Sequence, residues 1–369
     1  MPDQFSDQFS HELISKTLAD SSQISEHDVD VCLSKSKWKL KDFSILISNQ
    51  AQSQVKRMSK IAERITKQRF GNTVQLYIPL YLSNYCTNDC AYCGFSKRLP
   101  INRITLTEQQ ILKETSFLHA RGFRHILLLT GESPDQSGLD YLEKAVKLVS
   151  GYFSSIGLEV YPMMTSEYKR LFKAGADSLT IYQETYQNEM YKNVHRSGNK
   201  KDFIKRLNTP DQAGRAGFYK INIGALLGLY DWRFEALALA QHLHYLQKQY
   251  WRTKFSVSFP RIQDMGARFH VPFQVTDMDL LQFVSAFRLV FPDLGITLST
   301  REPAALRDNL ITAGITTLSA ESQTSPGGYS GGVSDAQFTT ADMRSLEDIQ
   351  KMLVSKGYDP VMKDWIRAQ

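Results

Sequence analysis

The sequence predicts an α/β fold, a closed TIM-type (β/α)8 barrel of eight parallel strands with a helical extension in front of it. From about residue 73 onward, short and nearly continuous apolar runs recur, as is typical of parallel strands buried on both faces. Amphipathic stretches separate these runs, which is the pattern of repeated βα units. Eight such units in succession fit a closed barrel better than an open sheet.

Residues 1–70 differ from the rest in being rich in Ser, Asp, Gln and Lys. Their last stretch places Val55, Met58 and Ile61 on one face at three-residue spacing, which predicts a helix. Gly71 supplies the stop signal that helices commonly use. We therefore divide the chain into an N-terminal helical extension, 1–70, and a barrel domain with a C-terminal helical tail, 71–369.

Each barrel strand is predicted from its own apolar run. The eight candidate strands are Thr73–Leu82, His125–Thr130, Leu158–Met164, Ser178–Gln183, Lys220–Leu227, Lys254–Pro260, Gly295–Thr300 and Thr316–Ala320. The clearest helices between them are Glu108–Ala120, Leu139–Phe153, Phe234–Tyr250 and Met278–Phe291. Since the chemistry of such barrels sits at the C-terminal ends of the strands, functional residues are expected just after these runs.

Composition excludes several classes of function. Lys and Arg number 44 against 38 Asp and Glu, and this net charge of +6 is spread along the chain, which does not indicate nucleic acid or membrane binding. The N-terminus lacks a signal-peptide pattern, and no apolar stretch approaches bilayer length, so a cytoplasmic protein is expected. Only four cysteines occur, and three of them fall within eight residues, which excludes a disulfide framework.

These three cysteines, Cys86, Cys90 and Cys93, form a C-x3-C-x2-C motif just past the first predicted strand. Soft thiolates on a loop can bind a metal or an iron–sulfur cluster from one side. A structural zinc site would need a fourth ligand, and neither Cys32 nor the scattered histidines supply one. Three ligands leave one position open, which favours a reactive site, although a barrel that binds metal without catalysis remains an alternative.

The motif, with the aromatic Tyr92 before its third cysteine, resembles the cluster-binding loop of the radical S-adenosylmethionine (SAM) enzymes. The resemblance implies a [4Fe-4S] cluster held by Cys86, Cys90 and Cys93, with SAM bound to the fourth iron through its amino and carboxylate groups. It also implies a SAM-derived radical inside the barrel, where water is excluded.

Other strand ends extend the resemblance to the SAM site. The segment Leu129–Ser133 is similar to the family's Gly-Gly-Glu motif, which assigns Gly131 and Glu132 to the SAM ammonium group, with Thr130 in place of the first glycine. The family also implies that Glu184 binds the SAM ribose and that Leu226 packs on adenine. Arg215 is the corresponding candidate for the SAM carboxylate.

The seventh predicted strand ends in Ser299-Thr-Arg301-Glu302-Pro303. Arg301 can bind a substrate carboxylate through two parallel hydrogen bonds, with Ser299 beside it. Taken alone, the residues are equally consistent with an ion pair between Arg301 and Glu302.

Within the family, the strings CTNDCAYCGF, YQETY, HRSG, IGALLGLYD and STREP most resemble the aromatic amino acid lyases. Relatives with a second cluster carry further cysteines, whereas this chain has none after Cys93. The resemblance implies cleavage of L-tyrosine at its Cα–Cβ bond to 2-iminoacetate and p-cresol for the thiazole of thiamine. Its implied partners are thiazole synthase and an electron donor such as flavodoxin or ferredoxin. A tryptophan lyase remains an alternative, because the sequence does not reveal which residues contact the aromatic ring of the substrate.

Overall fold

The computed structural model describes residues 3–262, 269–332 and 334–363, and it confirms the predicted barrel. Eight parallel strands follow the order β1, β3, β4, β5, β7, β8, β9 and β10, and β10 pairs with β1 to close the ring. The strands in chain order are β1 Thr73–Ser83, β2 Asp89–Cys90, β3 His125–Thr130, β4 Ser155–Glu159, β5 Ser178–Glu184, β6 His195–Ser197, β7 Lys220–Ala225, β8 Lys254–Ser258, β9 Gly295–Leu298, β10 Thr317–Ser319 and β11 Asp359–Val361.

Helices surround the barrel and form the extension. They are α1 His11–Asp20, α2 Glu26–Leu33, α3 Phe43–Leu46, α4 Val55–Phe70, α5 Glu108–Ala120, α6 Leu139–Val149, α7 Thr165–Ala174, α8 Asn188–Val194, α9 Phe203–Leu207, α10 Thr209–Ala216, α11 Trp232–Gln249, α12 Asp277–Val290, α13 Ala304–Ile311 and α14 Leu346–Ser355. In the described ranges, no helix combines the length and the apolar character needed to cross a membrane.

Capping residues fix where the outer helices begin. At the start of α5, the Thr107 hydroxyl accepts from the Gln110 N–H at 3.3 Å, and the Gln110 side chain accepts from the Thr107 N–H at 2.8 Å. Thr276 and Asp279 make the same reciprocal pair before α12. Each pair satisfies two backbone donors that the first turn would otherwise leave without partners.

One predicted strand is displaced. The run Leu158–Met164 was expected to form a strand, but β4 begins at Ser155 and ends at Glu159, and Met164 is already the N-cap of α7. Gly157 explains the shift, because a Cβ there would lie 2.8 Å from Ser178 Oγ and 3.0 Å from Leu127 Cδ1 of the adjacent strands. A glycine that interrupts the apolar pattern is therefore required inside this strand.

Three short strands were not predicted. Strands β2 and β6 pair antiparallel with each other above the barrel, and β11 adds a parallel partner to the first residues of β1. Each has only two or three residues, too few for periodicity to reveal.

The helical extension shares one hydrophobic core with the barrel helices. Phe5, Ile14 and Met58 are buried in the same cluster as the barrel residues. The Phe5 ring stacks on His242 of α11 with 4.0 Å between ring centroids. The boundary at residue 70 remains a prediction, but the extension does not pack as a separate body.

We expect Phe5→Ala to lower the free energy of unfolding by about 3 kcal/mol, because it removes a fully buried ring and leaves a cavity. Phe117→Ala is the matched control, since Phe117 on α5 is 45% exposed. Urea denaturation followed by circular dichroism would measure both. Equal losses in the two variants would contradict an anchoring role for Phe5.

Candidate active site

A cavity of about 140 Å³ opens at the C-terminal ends of the barrel strands. Its wall contains six of the residues that the sequence singled out, drawn from the cysteine loop and from the ends of three strands. They are Tyr92, Cys93, Glu184, Leu226, Ser299 and Arg301. The parallel strands bring these distant segments together, as expected for a barrel of this type.

The three motif cysteines lie near one another, and Cys93 among them lines the cavity. Cys90 is buried, whereas Cys86 and Cys93 are partly buried and pack near Tyr81 and Phe95. Burial raises the pKa of the Cys90 and Cys93 thiols, and the neighbouring cysteines raise both further. Metal binding would relieve this penalty, because a metal stabilises the thiolate form.

The three thiols can serve as the protein ligands of a [4Fe-4S] cluster. Among the described residues, no three His, Cys, Asp or Glu side chains converge closely enough to hold one metal ion. A [4Fe-4S] cluster does not require such convergence, because each cysteine binds a different iron.

The cysteine loop is held by the segment that contains the HRSG string. Cys90 of β2 pairs with His195 of β6, and the Tyr92 hydroxyl lies 2.8 Å from His195 Nε2. Gly198 has a φ of +92°, and a Cβ there would lie 2.2 Å from Asn88 Oδ1. Only glycine allows both this conformation and this close approach. Nothing in the sequence of this string indicates that it supports the cysteine loop.

Gly131 and Glu132 hold the other side of the loop. A Cβ on Gly131 would lie 2.2 Å from the Tyr85 carbonyl oxygen, so only glycine fits at this position. The Glu132 carbonyl accepts from the Thr87 N–H at 3.0 Å, and its carboxylate accepts from Asn88 Nδ2 at 2.9 Å. Although burial opposes ionisation, Arg206 and Lys200 hold the pKa of Glu132 below its ordinary value.

Glu184 points into the cavity from a strained position. It ends β5 at a register shift and has a φ of +69°, which is unusual for a residue other than glycine. Its carboxylate lies 2.6 Å from Lys200 Nζ and 3.6 Å from Arg206 Nη2. Such backbone strain costs about 1–3 kcal/mol and is concentrated at functional sites.

Arg301 and Ser299 lie at the rim beyond β9. The Arg301 guanidinium lies 3.6 Å from the centroid of the Phe338 ring, and burial lowers its pKa. Glu302, the alternative partner of Arg301, binds Arg261 at 2.5 Å.

Arg215 requires a correction. It was expected near the SAM carboxylate, but it is exposed near the end of α10, and its guanidinium donates to the Asp3 carbonyl of the extension. Lys200 lines the cavity instead, and Arg206 on α9 lies close behind it, binding Glu132 at 2.7 Å and lying 3.6 Å from Glu184. Neither Arg206 nor Lys200 was singled out from the sequence.

Comparisons with known proteins agree with this geometry. A model of the radical SAM superfamily matches residues 80–240, and a model of the biotin and thiamin synthesis associated domain matches residues 258–359. The chain is 42% identical to 2-iminoacetate synthase of Escherichia coli (strain K12) and 41% identical to that of Salmonella typhimurium, each match covering 92% of this chain and 90% of the relative.

Among solved structures, the chain resembles HydG, a maturase of the [FeFe]-hydrogenase. The TM-score is 0.91 at 28% identity, and the match covers 95% of this chain and 80% of HydG. The likeness therefore extends over the barrel and the helical extension.

We expect replacement of Cys86, Cys90 or Cys93 by alanine to abolish bound iron after anaerobic reconstitution, because two thiolates cannot retain a cluster. Cys32→Ala is the control, since Cys32 is buried in the extension. Iron content and visible absorbance would be measured. Wild-type iron content in Cys90→Ala would show that the loop is not the cluster ligand.

Proposed function

The chain belongs to the 2-iminoacetate synthase family of the radical SAM superfamily, and from this premise we propose that it cleaves L-tyrosine at the Cα–Cβ bond. The products are 2-iminoacetate (dehydroglycine), which serves the thiazole moiety of thiamine, and p-cresol. The chain is a radical SAM carbon–carbon lyase, and its cofactors are a [4Fe-4S] cluster and SAM.

The motif cysteines would hold the cluster. The SAM molecule would contact Tyr92, Gly131 and Glu132 near the loop, with Glu184 on its ribose and Leu226 on its adenine. When bound, the cluster and SAM together supply the radical that removes a hydrogen atom from the substrate. Support for this arrangement is that Cys93, Glu184 and Leu226 all line one cavity.

A single observation carries the substrate assignment. Arg301 lines the same cavity as Cys93 and Glu184. Arg301, with Ser299 beside it, would bind the substrate carboxylate and so hold the amino group of the substrate beside SAM. The buried walls around it would keep water from the reacting atoms.

Two partners belong to the proposal. The superfamily needs a reducing electron donor, and a flavodoxin or ferredoxin would serve. Because an imine hydrolyses readily in water, direct transfer of 2-iminoacetate to thiazole synthase in a complex would protect the product. A cytoplasmic setting is consistent with free, closely spaced thiols.

Product analysis tests the function against its alternatives. The reconstituted, reduced enzyme would be given tyrosine and tryptophan in parallel, and p-cresol, 2-iminoacetate (measured as its hydrolysis product glyoxylate) and 5′-deoxyadenosine would be quantified. Release of p-cresol from tyrosine supports the proposal. Cleavage of tryptophan alone would indicate the other lyase, and absence of SAM cleavage would indicate a non-catalytic metal-binding barrel.

We expect Glu184→Gln to weaken SAM binding about tenfold or more, because a charge-assisted hydrogen bond to the ribose is lost. Glu302→Gln is the control, since this carboxylate lines the same cavity but binds Arg261. Calorimetric titration of reconstituted protein with SAM would measure both affinities. An unchanged affinity in Glu184→Gln would remove Glu184 from the SAM site.

Arg301→Lys is expected to keep the charge but lose the planar two-point contact with the substrate carboxylate. The variant should bind SAM and cleave it slowly, with 5′-deoxyadenosine formed in excess over p-cresol, because the substrate is no longer held in a reactive orientation. Both products would be measured over a tyrosine titration. Equal yields at the wild-type tyrosine affinity would exclude Arg301 as the carboxylate ligand.

A further inference from the structure

The floor of the cavity carries a carboxyl group that none of these roles uses. Glu159 is the last residue of β4 and lines the cavity, whereas Gly157, two residues earlier, lines a second cavity toward the N-terminal end of the barrel. Glu159 therefore lies directly above the layer of side chains that separates the two cavities. That layer consists of Tyr77, Leu127, Tyr182 and Thr297, which line both.

Glu159 differs from the other two carboxyl groups of this cavity in having no protein partner. Glu184 binds Lys200, and Glu302 binds Arg261. Within residues 3–262, 269–332 and 334–363, the Glu159 carboxyl group makes no hydrogen bond and no ion pair. The residue is partly buried and its carboxyl group faces the cavity, so a ligand with a hydrogen-bond donor could reach it there and shield it from water.

The electrostatic surroundings of Glu159 also favour a hydrogen-bonding ligand. Burial and the negative charge of Glu184 raise its pKa to about 7, so at neutral pH the carboxyl group can accept a hydrogen bond without a full buried charge. The titratable and charged groups that face it are Tyr77, Tyr81, Tyr182, Glu184, Lys200, Arg206 and Arg301.

The positions of the rim and the floor determine the orientation of a bound amino acid in the cavity. Arg301 stands three residues beyond the end of β9, at the rim that also carries Cys93. The carboxylate and amino groups of the substrate must stay at this rim, beside SAM. Its side chain then points down the barrel axis toward the floor.

The walls near the floor suit an aromatic ring. Tyr77, Leu127 and Leu129 present flat or apolar surfaces there. Burial raises the pKa of the Tyr77 and Tyr182 hydroxyl groups, while Ser319 beside Tyr77 and Ser258 beside Tyr182 partly offset this effect. Among the described residues, Glu159 is therefore the carboxyl group of this cavity that is available to a ligand at the floor.

We propose that Glu159 accepts a hydrogen bond from the phenolic hydroxyl group of the bound tyrosine and thereby selects tyrosine over phenylalanine. This inference rests on the proposed function. The selectivity has a physical basis: phenylalanine would bury the same carboxyl group without a partner, and a site built to bind a hydroxyl group strongly rejects an analogue that lacks it.

The test measures binding without turnover. Reconstituted holoenzyme with SAM and no reductant is titrated with tyrosine and with phenylalanine. We expect the wild type to prefer tyrosine, and Glu159→Gln to reduce this preference about 10- to 100-fold, because a neutral amide is a weaker acceptor. Glu159→Leu should bind phenylalanine more tightly than tyrosine, because it replaces the acceptor with an apolar surface.

Glu235→Gln is the matched control. Glu235 is a buried glutamate whose pKa is likewise raised by burial, to about 8, but it lies on α11 outside the cavity. This variant should keep the wild-type preference. A wild-type ratio of affinities in both Glu159 variants would overturn the proposal, as would a wild type that binds the two amino acids equally.

Stability measurements check the premise that Glu159 has no protein partner. Because folding raises its pKa from 4.5 to about 7, this group lowers wild-type stability as the pH rises between these two values, whereas Glu159→Gln has no carboxyl group to titrate there. The variant should therefore melt at or above the wild-type temperature at pH 8, with a smaller advantage at pH 5. Marked destabilisation at pH 8 would overturn the premise.

Failure of the proposed function has a separate signature. A wild type that prefers tyrosine in binding but forms no p-cresol would refute the lyase assignment and leave the contact with Glu159 standing. Formation of p-cresol with an unchanged preference in the Glu159 variants would refute only the role of Glu159.

Discussion

The site depends on the buried guanidinium group of Arg206. From α9 it binds the Glu132 carboxylate at 2.7 Å, approaches Glu184 at 3.6 Å and donates to the Tyr182 carbonyl at 2.6 Å. One side chain thus joins the segment after β3 to the end of β5, and through Glu132 and Asn88 it reaches the cysteine loop. Removing a partner from such a buried network costs about 3–5 kcal/mol, because the remaining charge stays buried.

This network explains how a loop of little regular structure can present three thiols in a fixed arrangement. The hydrogen bonds of Asn88 tie one part of the loop to Glu132, and the pairing of Cys90 with His195 ties the next part to β6. Two glycines, Gly131 and Gly198, let the neighbouring backbones approach closely enough for these contacts. The loop is therefore positioned by the strand ends, and its own sequence needs to specify only the ligands.

The sequence predicted what depends on local pattern. The barrel followed from repeated apolar runs, and the cysteine loop followed from its spacing. Arg206 was missed because the sequence does not say which of two consecutive helices, α9 or α10, faces the barrel mouth, and so Arg215 was chosen. Glu159 was missed for a related reason: the third strand was placed too late, and a glutamate inside that run gave no sign of pointing inward. Both errors concern the direction of a side chain, which only the packed structure determines.

The barrel separates two tasks along its axis. The rim gathers Cys93, Glu184 and Arg301 from loops and strand ends. It can therefore bind SAM and the carboxylate and amino groups that every α-amino acid has. The floor is built from residues inside the strands, where Glu159 stands next to the layer that divides the two cavities. Strand residues such as Glu159 can be substituted without moving the loops above them. Recognition of the substrate side chain is therefore physically independent of the radical chemistry. A change in substrate selectivity at the floor therefore does not require any change in the cluster loop or in the charged residues that support it.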